Sequence, residues 1–335
     1  MKQTDNNIAN ENDEMSVKKR KKLRVASLFA GCGGMDYAFN KKSKLFKMVY
    51  VNDFDKDSCD SYEKFYKHKP ECKDITKVKS IPECDIMTGG FPCQGFSVAN
   101  AYREESDSRN KLYLELVRLL KMKKPKYFIF ENVKGILSLG GYESKEDQKK
   151  GIGKVFKMIV SDLEKCGYKV HVKLFKVKWY DIPQNRERVI FIGVRKDISK
   201  LVKFKWPKEI QQITKTLRDA IGDLPNEYDE NIQHIGTKHK VKITGYMGNR
   251  KLDWDKISPT ITGRGGGTGG PVINVHPNGK RRMTVREYAR IQTFPDDFFF
   301  SGSVSSMYRQ IGNAVPPKFS FVLVKIIKKL EKQLT

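Results

Sequence analysis

The chain has 335 residues, 39% of them hydrophobic and 11% aromatic, enough for one large domain or two unequal ones, each with its own core. Its 65 Lys and Arg against 39 Asp and Glu leave a formal net charge of +26, a field that attracts polyanions and favours a nucleic-acid partner. Lysine excess also follows from an AT-rich genome, so charge by itself does not decide the function. No apolar run is long enough to span a bilayer, and residues 1–22 lack the apolar centre of a signal peptide, which points to a cytoplasmic chain with a disordered tail over 1–22.

From Leu23 onward, short apolar runs bounded by turn residues alternate with helical patterns. "LRVASLF" (23–29), "MVYVND" (48–53), "CDIMTGG" (84–90), "YFIFENV" (127–133) and "RVIFIGV" (188–194) read as buried strands. Between them, "FDKDSCDSYEKFYKH" and "NKLYLELVRLLKMKK" carry apolar residues at helical spacing. Alternation of this kind predicts an α/β fold with a mostly parallel, doubly wound sheet. Over roughly 196–275 the pattern degrades into Lys-rich, Pro-punctuated sequence, a smaller second region. Regular structure returns in 276–335 with "TVREYARIQTFPDDF" and the amphipathic "KFSFVLVKIIKKLEK", which predicts a segment folding back onto the first domain, 23–195.

The first strand runs into "FAGCGGMD" (29–36), where Gly31, Gly33 and Gly34 permit a tight turn and close approach to a ligand. Asp36 stands where the third glycine of a dinucleotide fingerprint belongs, which disfavours a pyrophosphate-bearing cofactor. Asp53 ends the second strand twenty positions after Gly33, where such folds place a carboxylate to accept ribose hydroxyls. A nucleoside without phosphates fits this loop, and S-adenosyl-L-methionine is such a molecule.

Six cysteines lie at 32, 59, 72, 84, 93 and 166 without a C-x-x-C pair, so neither a metal site nor a redox pair is expected. Cys93 nevertheless sits oddly, in "GGFPCQGFS", just past the carboxyl end of a strand, where doubly wound sheets bind ligands. "YFIFENV" delivers Glu131 to the same edge after four apolar residues, and a carboxylate there is expensive unless a partner satisfies it. A nucleophile and an acid thus share one edge. A free cysteine is more often a small core residue and a strand-end glutamate a cap; together they favour catalysis.

The ordered set "SLFAGCGG", "GGFPCQGFS", "FENV", "QNRERVIFIG", "TVREYARIQTFPDDF" and "QIGNAVPP" resembles the bacterial DNA (cytosine-5)-methyltransferases of restriction–modification systems, over nearly the whole chain from Leu23. The resemblance implies a class I methyltransferase Rossmann-like sheet with a small target-recognition domain, S-adenosyl-L-methionine as cofactor, and double-stranded DNA in the cleft. It makes Cys93 the nucleophile that adds to carbon 6 of a flipped cytosine, Glu131 the acid at ring nitrogen 3, and Arg188, or Arg186 beside it, the cation on the pyrimidine carbonyl. Cofactor contacts fall, on the same basis, to Phe29, Gly31, Gly33, Gly34, Asp53, Phe54, Asp74, Ile75, Pro92 and Asn313. Phe54 replaces a tryptophan common in the family, so only its stacking surface carries over. DNA contacts fall to Gln94, Ser97 and Arg109 in a loop that closes over the base. The expected protein is a monomer, and a restriction endonuclease acting on the same site is the expected companion. An RNA cytosine-5-methyltransferase, a catalytically inactive DNA-binding relative and an NAD-dependent oxidoreductase are the alternatives. The intact Cys93, Glu131 and Arg188 argue against the second, and the basic charge with Cys93 argues against the third. "TITGRGGGTGG" (260–270) suits close approach to DNA and equally a glycine-rich surface loop. Arg286, Glu287 and Arg290 read as structural.

Overall fold

The computed structural model describes residues 21–92, 108–237, 241, 243–244, 249–263 and 272–334; of residues 108–111 it describes the backbone only. The strands are β1 (Leu23–Leu28), β2 (Phe46–Asp53), β3 (Glu71–Cys72), β4 (Ile86–Gly89), β5 (Tyr127–Val133), β6 (Tyr168–Lys176), β7 (Gln184–Asn185), β8 (Glu187–Arg195) and β9 (Ser258–Pro259). The helices are α1 (Tyr37–Lys41), α2 (Lys56–Tyr66), α3 (Ser108–Lys123), α4 (Lys145–Lys150), α5 (Lys154–Lys165), α6 (Lys196–Ser199), α7 (Leu217–Ile221), α8 (Val285–Ile291), α9 (Val304–Asn313) and α10 (Pro317–Glu331).

Seven strands form one sheet in the order β3-β2-β1-β4-β5-β8-β6. The pairs from β3 to β5 are parallel, whereas β8 runs antiparallel to both β5 and β6. The chain winds outward from β1 in one direction through β2 and β3, then in the other through β4 and β5. Their divergence opens a crevice beyond the carboxyl ends of β1 and β4, the place where such sheets bind ligands. All five strands expected from the apolar runs are present. β6 is the addition: "YKVHVKLFK" alternates polar and apolar residues at the sheet edge, and its lysines mask it from a search for continuous apolar runs.

Alternation along the strands feeds two layers. Val25, Ile86, Ile129, Ile190 and Ile192 face Ala38 and Phe39 of α1 and Leu323, Ile326, Ile327 and Leu330 of α10. Their neighbours Ala26, Met87, Phe128, Phe130 and Phe191 face Leu116 and Leu120 of α3 and Ile159 and Leu163 of α5. Each fully buried aliphatic side chain contributes about 1.5–3 kcal/mol, so α10, begun at Pro317 by a proline that presets the helical φ, is an integral layer on the sheet. A third cluster joins Leu217, Ile221, Leu252 and Ile261 to Met283, Tyr288, Ile291, Tyr308 and Ile311, with Cys32 of the glycine loop at its border. The middle and last parts of the chain therefore share a core.

Arg286 and Glu287 serve that core. Arg286 donates to the carbonyls of Ile232 and Phe298, at 2.7 and 3.1 Å. Buried Glu287 closes the capping box on Thr284 and takes two bonds from Arg281, at 2.9 and 2.7 Å. Arg290 bridges Asp223 and Asp296.

Candidate active site

The turn after β1 shows why each glycine stands where it does. Gly31 and Gly33 take positive φ, +54° and +89°, and Phe29 is forced to +52°, a strained value for an aromatic residue. A methyl group at Gly31 would meet nothing within 4 Å, so this residue faces open space. At Gly33 it would overlap the rings of Tyr62 and Tyr66, and at Gly34 the carbonyl of Val315. Of the three, Gly31 borders the crevice; the other two let α2 and the returning segment 314–315 close against the loop.

Asp36, the residue in place of a third glycine, is buried, accepts from Ser27 Oγ at 2.9 Å, and is pushed up to about 7 by desolvation. With the native pKa above the unfolded value of about 3.9, the folded state holds the extra proton between pH 4 and 7, and stability falls as pH rises through that window. Asp36→Asn should remove the slope. Urea unfolding should show the variant gaining on wild type at pH 8, by an amount on the order of 1–4 kcal/mol, and not at pH 4.

Asp53 ends β2 almost buried. Its Oδ2 accepts from Gly31 N–H at 2.7 Å and its Oδ1 from Asp55 N–H at 2.9 Å. Burial raises its pKa and these two donors oppose that. Two ionised oxygens offer about four acceptor positions, so the carboxylate is locked in orientation with capacity for a diol. Phe54, next in sequence, is 75% exposed, an aromatic face left bare beside that carboxylate. Asp74 is exposed; its Oδ1 accepts from Thr76 N–H and Oγ1 at 2.9 and 2.8 Å, which lowers its pKa, so it caps the turn that follows. Ile75, next in sequence, is buried and packs in the core with Ala26 and Leu28. Asn313, at the end of α9, is exposed and packs on Gly263, where a methyl group would overlap its carboxamide. Asp53→Ala should weaken cofactor binding by about 1.5–3 kcal/mol, the range for a lost charge-assisted hydrogen bond, in calorimetry on a variant whose circular dichroism is unchanged.

A nearly buried ion pair forms where β5 meets β8. Val133 pairs with Arg188 and Glu131 with Ile190, so Glu131 and Arg188 are diagonal neighbours on one face. Arg188 Nε lies 2.7 Å from Glu131 Oε1, both side chains 11% exposed. The reversed direction of β8 makes this possible, since it brings the start of that strand to the carboxyl end of the parallel ones. The segment after β4 runs alongside: Asn132 Nδ2 donates to Phe91 O at 3.0 Å, and a methyl group at Gly90 would stand 3.5 Å from Glu131 Oε2. Pro92, half-buried, follows at once. Cys93, Gln94 and Ser97 lie outside the described residues, as does the Arg109 side chain.

Arg186 departs from its expected catalytic place. It is fully buried, and its guanidinium donates to Ile261 O at 2.8 Å, twice to Gly312 O at 3.0 Å, and to Ala314 O at 2.9 Å. Four bonds to backbone leave it no reach to a substrate, so Arg188 is the crevice-facing cation of "QNRER". Two buried glutamines that sequence reasoning missed extend the latch. Gln184 accepts from Ile261 N–H at 3.0 Å and donates to Gln292 Oε1 at 2.8 Å, while Gln292 donates to Ile311 O at 2.6 Å. Five consecutive polar residues, Gln184 to Arg188 in "DIPQNRER", carry no mark of burial, so the signal was absent.

The family model for C-5 cytosine-specific DNA methylases matches residues 23–331. The chain belongs to this family. Among curated relatives it is 35% identical to type II methyltransferase M.BsuRI of Bacillus subtilis, over 92% of this chain and 81% of that one. It is 36% identical to M.MthTI of Methanothermobacter thermautotrophicus, over 92% and 97%. A DNA modification methyltransferase from an E. coli prophage superposes with a TM-score of 0.69 at 22% identity, covering 93% of this chain and all of that one. S. pombe Dnmt2 methyltransferase gives 0.63 at 21%, covering 92% and 99%. These two establish the fold, that of a class I methyltransferase. The protein is thus a DNA (cytosine-5-)-methyltransferase, an enzyme acting on DNA, and the Glu131–Arg188 pair lies at the crevice of a DNA methylase. No helix among the described residues is long and apolar enough to cross a membrane.

Proposed function

We propose that this methylase modifies carbon 5 of a cytosine flipped out of a short specific double-stranded DNA sequence, through a covalent bond from Cys93 to carbon 6. The observation that supports it most is the Glu131–Arg188 pair, 2.7 Å apart and nearly buried, beside the Gly90–Pro92 segment that leads to Cys93. Carbon 5 of cytosine is a weak nucleophile, and thiolate addition at carbon 6 makes it enamine-like. The displaced electron density runs toward ring nitrogen 3, where Glu131 holds or delivers a proton. Arg188, fixed by Glu131 and by its own bond to Glu187 O at 2.7 Å, steadies the ring carbonyl. Loss of the carbon 5 proton then expels Cys93. None of these atoms is reachable in a stacked duplex, so the base must leave it.

S-adenosyl-L-methionine supplies, when bound, an electrophilic methyl carbon. The crevice suits it: Asp53 has acceptor capacity for ribose hydroxyls, Phe54 a bare ring, Gly31 open space, and Asn313 an exposed carboxamide. Residues 23–195 form the catalytic unit in this reading, 196–275 hold target recognition and 276–335 close back on the first. Gln94, Ser97 and Arg109 contact the DNA backbone or the vacated stack. The protein acts as a cytoplasmic monomer that protects DNA from a restriction endonuclease of the same specificity, a role that the type II relatives' names support.

Bisulfite sequencing of DNA from a methylation-free host expressing the chain tests this. A fixed sequence protected at one cytosine is expected; protection of tRNA cytosines with unmodified DNA would overturn it. The logarithm of DNA affinity should also fall linearly with the logarithm of salt concentration, because Lys and Arg contacts release condensed counterions. Fluorescence anisotropy over 50–300 mM salt checks this, and a flat line would contradict it.

A further inference from the structure

Two thiols meet at the peptide that joins Asp53 to Phe54. Cys59, near the start of α2, is buried and its Sγ donates to Asp53 O at 3.6 Å. Cys72, exposed at the end of β3, is the register partner of Asp53, and its Sγ donates to Phe54 O at 3.8 Å. Both sulfurs thus lie against the carbonyls of two consecutive residues. Lys56, paired with Asp60, is close enough for its ammonium to feel both sulfurs. Burial pushes the Cys59 thiol up, so the exposed Cys72 is the thiol that meets an oxidant first.

We propose that Cys59 and Cys72 are a dithiol modification site for two-electron oxidants of the hydroperoxide class, and that the disulfide they form disables the adjoining cofactor edge. Cys72 thiolate attacks the peroxide O–O bond, takes one oxygen as sulfenic acid and releases alkoxide or hydroxide, which picks up the thiol proton. Cys59 sulfur then displaces that oxygen as water, carrying off its own proton. Two thiols and one hydroperoxide become one disulfide, one alcohol or water, and one water. Both S–H donors vanish in the process. The Phe54 carbonyl loses the Cys72 donor and the Asp53 carbonyl keeps only Lys73 N–H, at 2.9 Å, and α2 is drawn toward β3, a two-residue strand at the sheet edge that yields readily. The peptide that aims the Asp53 carboxylate and the Phe54 ring must shift with them. This second consequence rests on the cofactor role given above to Asp53 and Phe54; the disulfide itself does not.

The test uses the full chain, with hydrogen peroxide or diamide as oxidant, alkylation and peptide mass mapping for linkage, and calorimetry for S-adenosyl-L-methionine. Affinity is the readout because oxidation of Cys93 would confound activity. The expected result is a Cys59–Cys72 linked peptide pair, at least a tenfold loss of cofactor affinity, recovery on reduction with dithiothreitol, and a Cys72→Ser protein whose affinity the oxidant leaves unchanged. Oxidised protein in which both cysteines still alkylate would overturn the site. Linkage with undiminished affinity would overturn its effect. Linkage is mapped without cofactor, so failure of reduced wild-type protein to bind S-adenosyl-L-methionine would instead sink the cofactor assignment.

Discussion

Cys93→Ser should lower kcat for DNA methylation by on the order of 10⁴-fold or more while leaving the fold, cofactor affinity and DNA affinity close to wild type. A thiol with a reference pKa of about 8.5 is a few per cent thiolate at pH 7, and that fraction is intrinsically very nucleophilic. A serine hydroxyl supplies almost no anion. Glu131 is engaged by Arg188 at 2.7 Å. The change is one atom, so binding surfaces survive. Single-turnover methylation with tritiated cofactor, beside anisotropy for DNA, separates the two quantities. A serine variant that methylates at a tenth of the wild-type rate would exclude thiolate addition as the route.

Arg186→Met should destabilise the protein by about 3 kcal/mol or more and cost activity through that loss. The substitution fills the volume but takes the Arg186 donors from the carbonyls of Ile261 and Gly312 and leaves Ala314 only the bond from Gln292, at 3.2 Å, and each buried orphan costs about 1–3 kcal/mol. Those carbonyls come from two separate stretches, 261 and 312–314, so the damage should fall on the junction that carries Asn313. Arg188→Met should behave oppositely, with activity lost and less stability forfeited, because its side chain borders the crevice. Denaturant unfolding of both variants with parallel assays checks the contrast. If Arg186→Met were as stable as wild type yet inactive, Arg186 would have to face substrate after all.

That pair of arginines shows where sequence reasoning reached and where it stopped. Spaced two apart in "QNRER", they ought to share a face if one strand carried both. The ladder instead breaks between them: Gln184–Asn185 pair with Ser258–Pro259 as β7, and β8 begins at Glu187. Arg186 sits at the break, turns inward and becomes a latch. Nothing local marks that change of partner, since it depends on a strand more than seventy residues away. The crevice itself was legible because its determinants are local. A run of apolar residues stopped by Glu131, glycines after β1, and a carboxylate at the end of β2 each announce a strand end, and strand ends in a doubly wound sheet share one edge. Asp74 and Ile75 show the opposite limit. Position in a motif names them together, whereas what each side chain touches, Thr76 for Asp74 and the core beside Ala26 for Ile75, is visible only in the fold. The edge strand β6 stayed hidden for a compositional reason, its alternating lysines.

Covalent trapping tests the central claim most directly. A duplex carrying 5-fluorocytosine at the target position should link to the enzyme when S-adenosyl-L-methionine is present, because fluorine at carbon 5 cannot leave as a proton does and Cys93 cannot then be expelled. Mass spectrometry of the trapped complex should find the link on the peptide containing Cys93, with no adduct from Cys93→Ser and a much slower one from Glu131→Gln, whose amide cannot donate the proton that activates the ring. An adduct on any of the other five cysteines, or an undiminished yield from Cys93→Ser, would contradict the account.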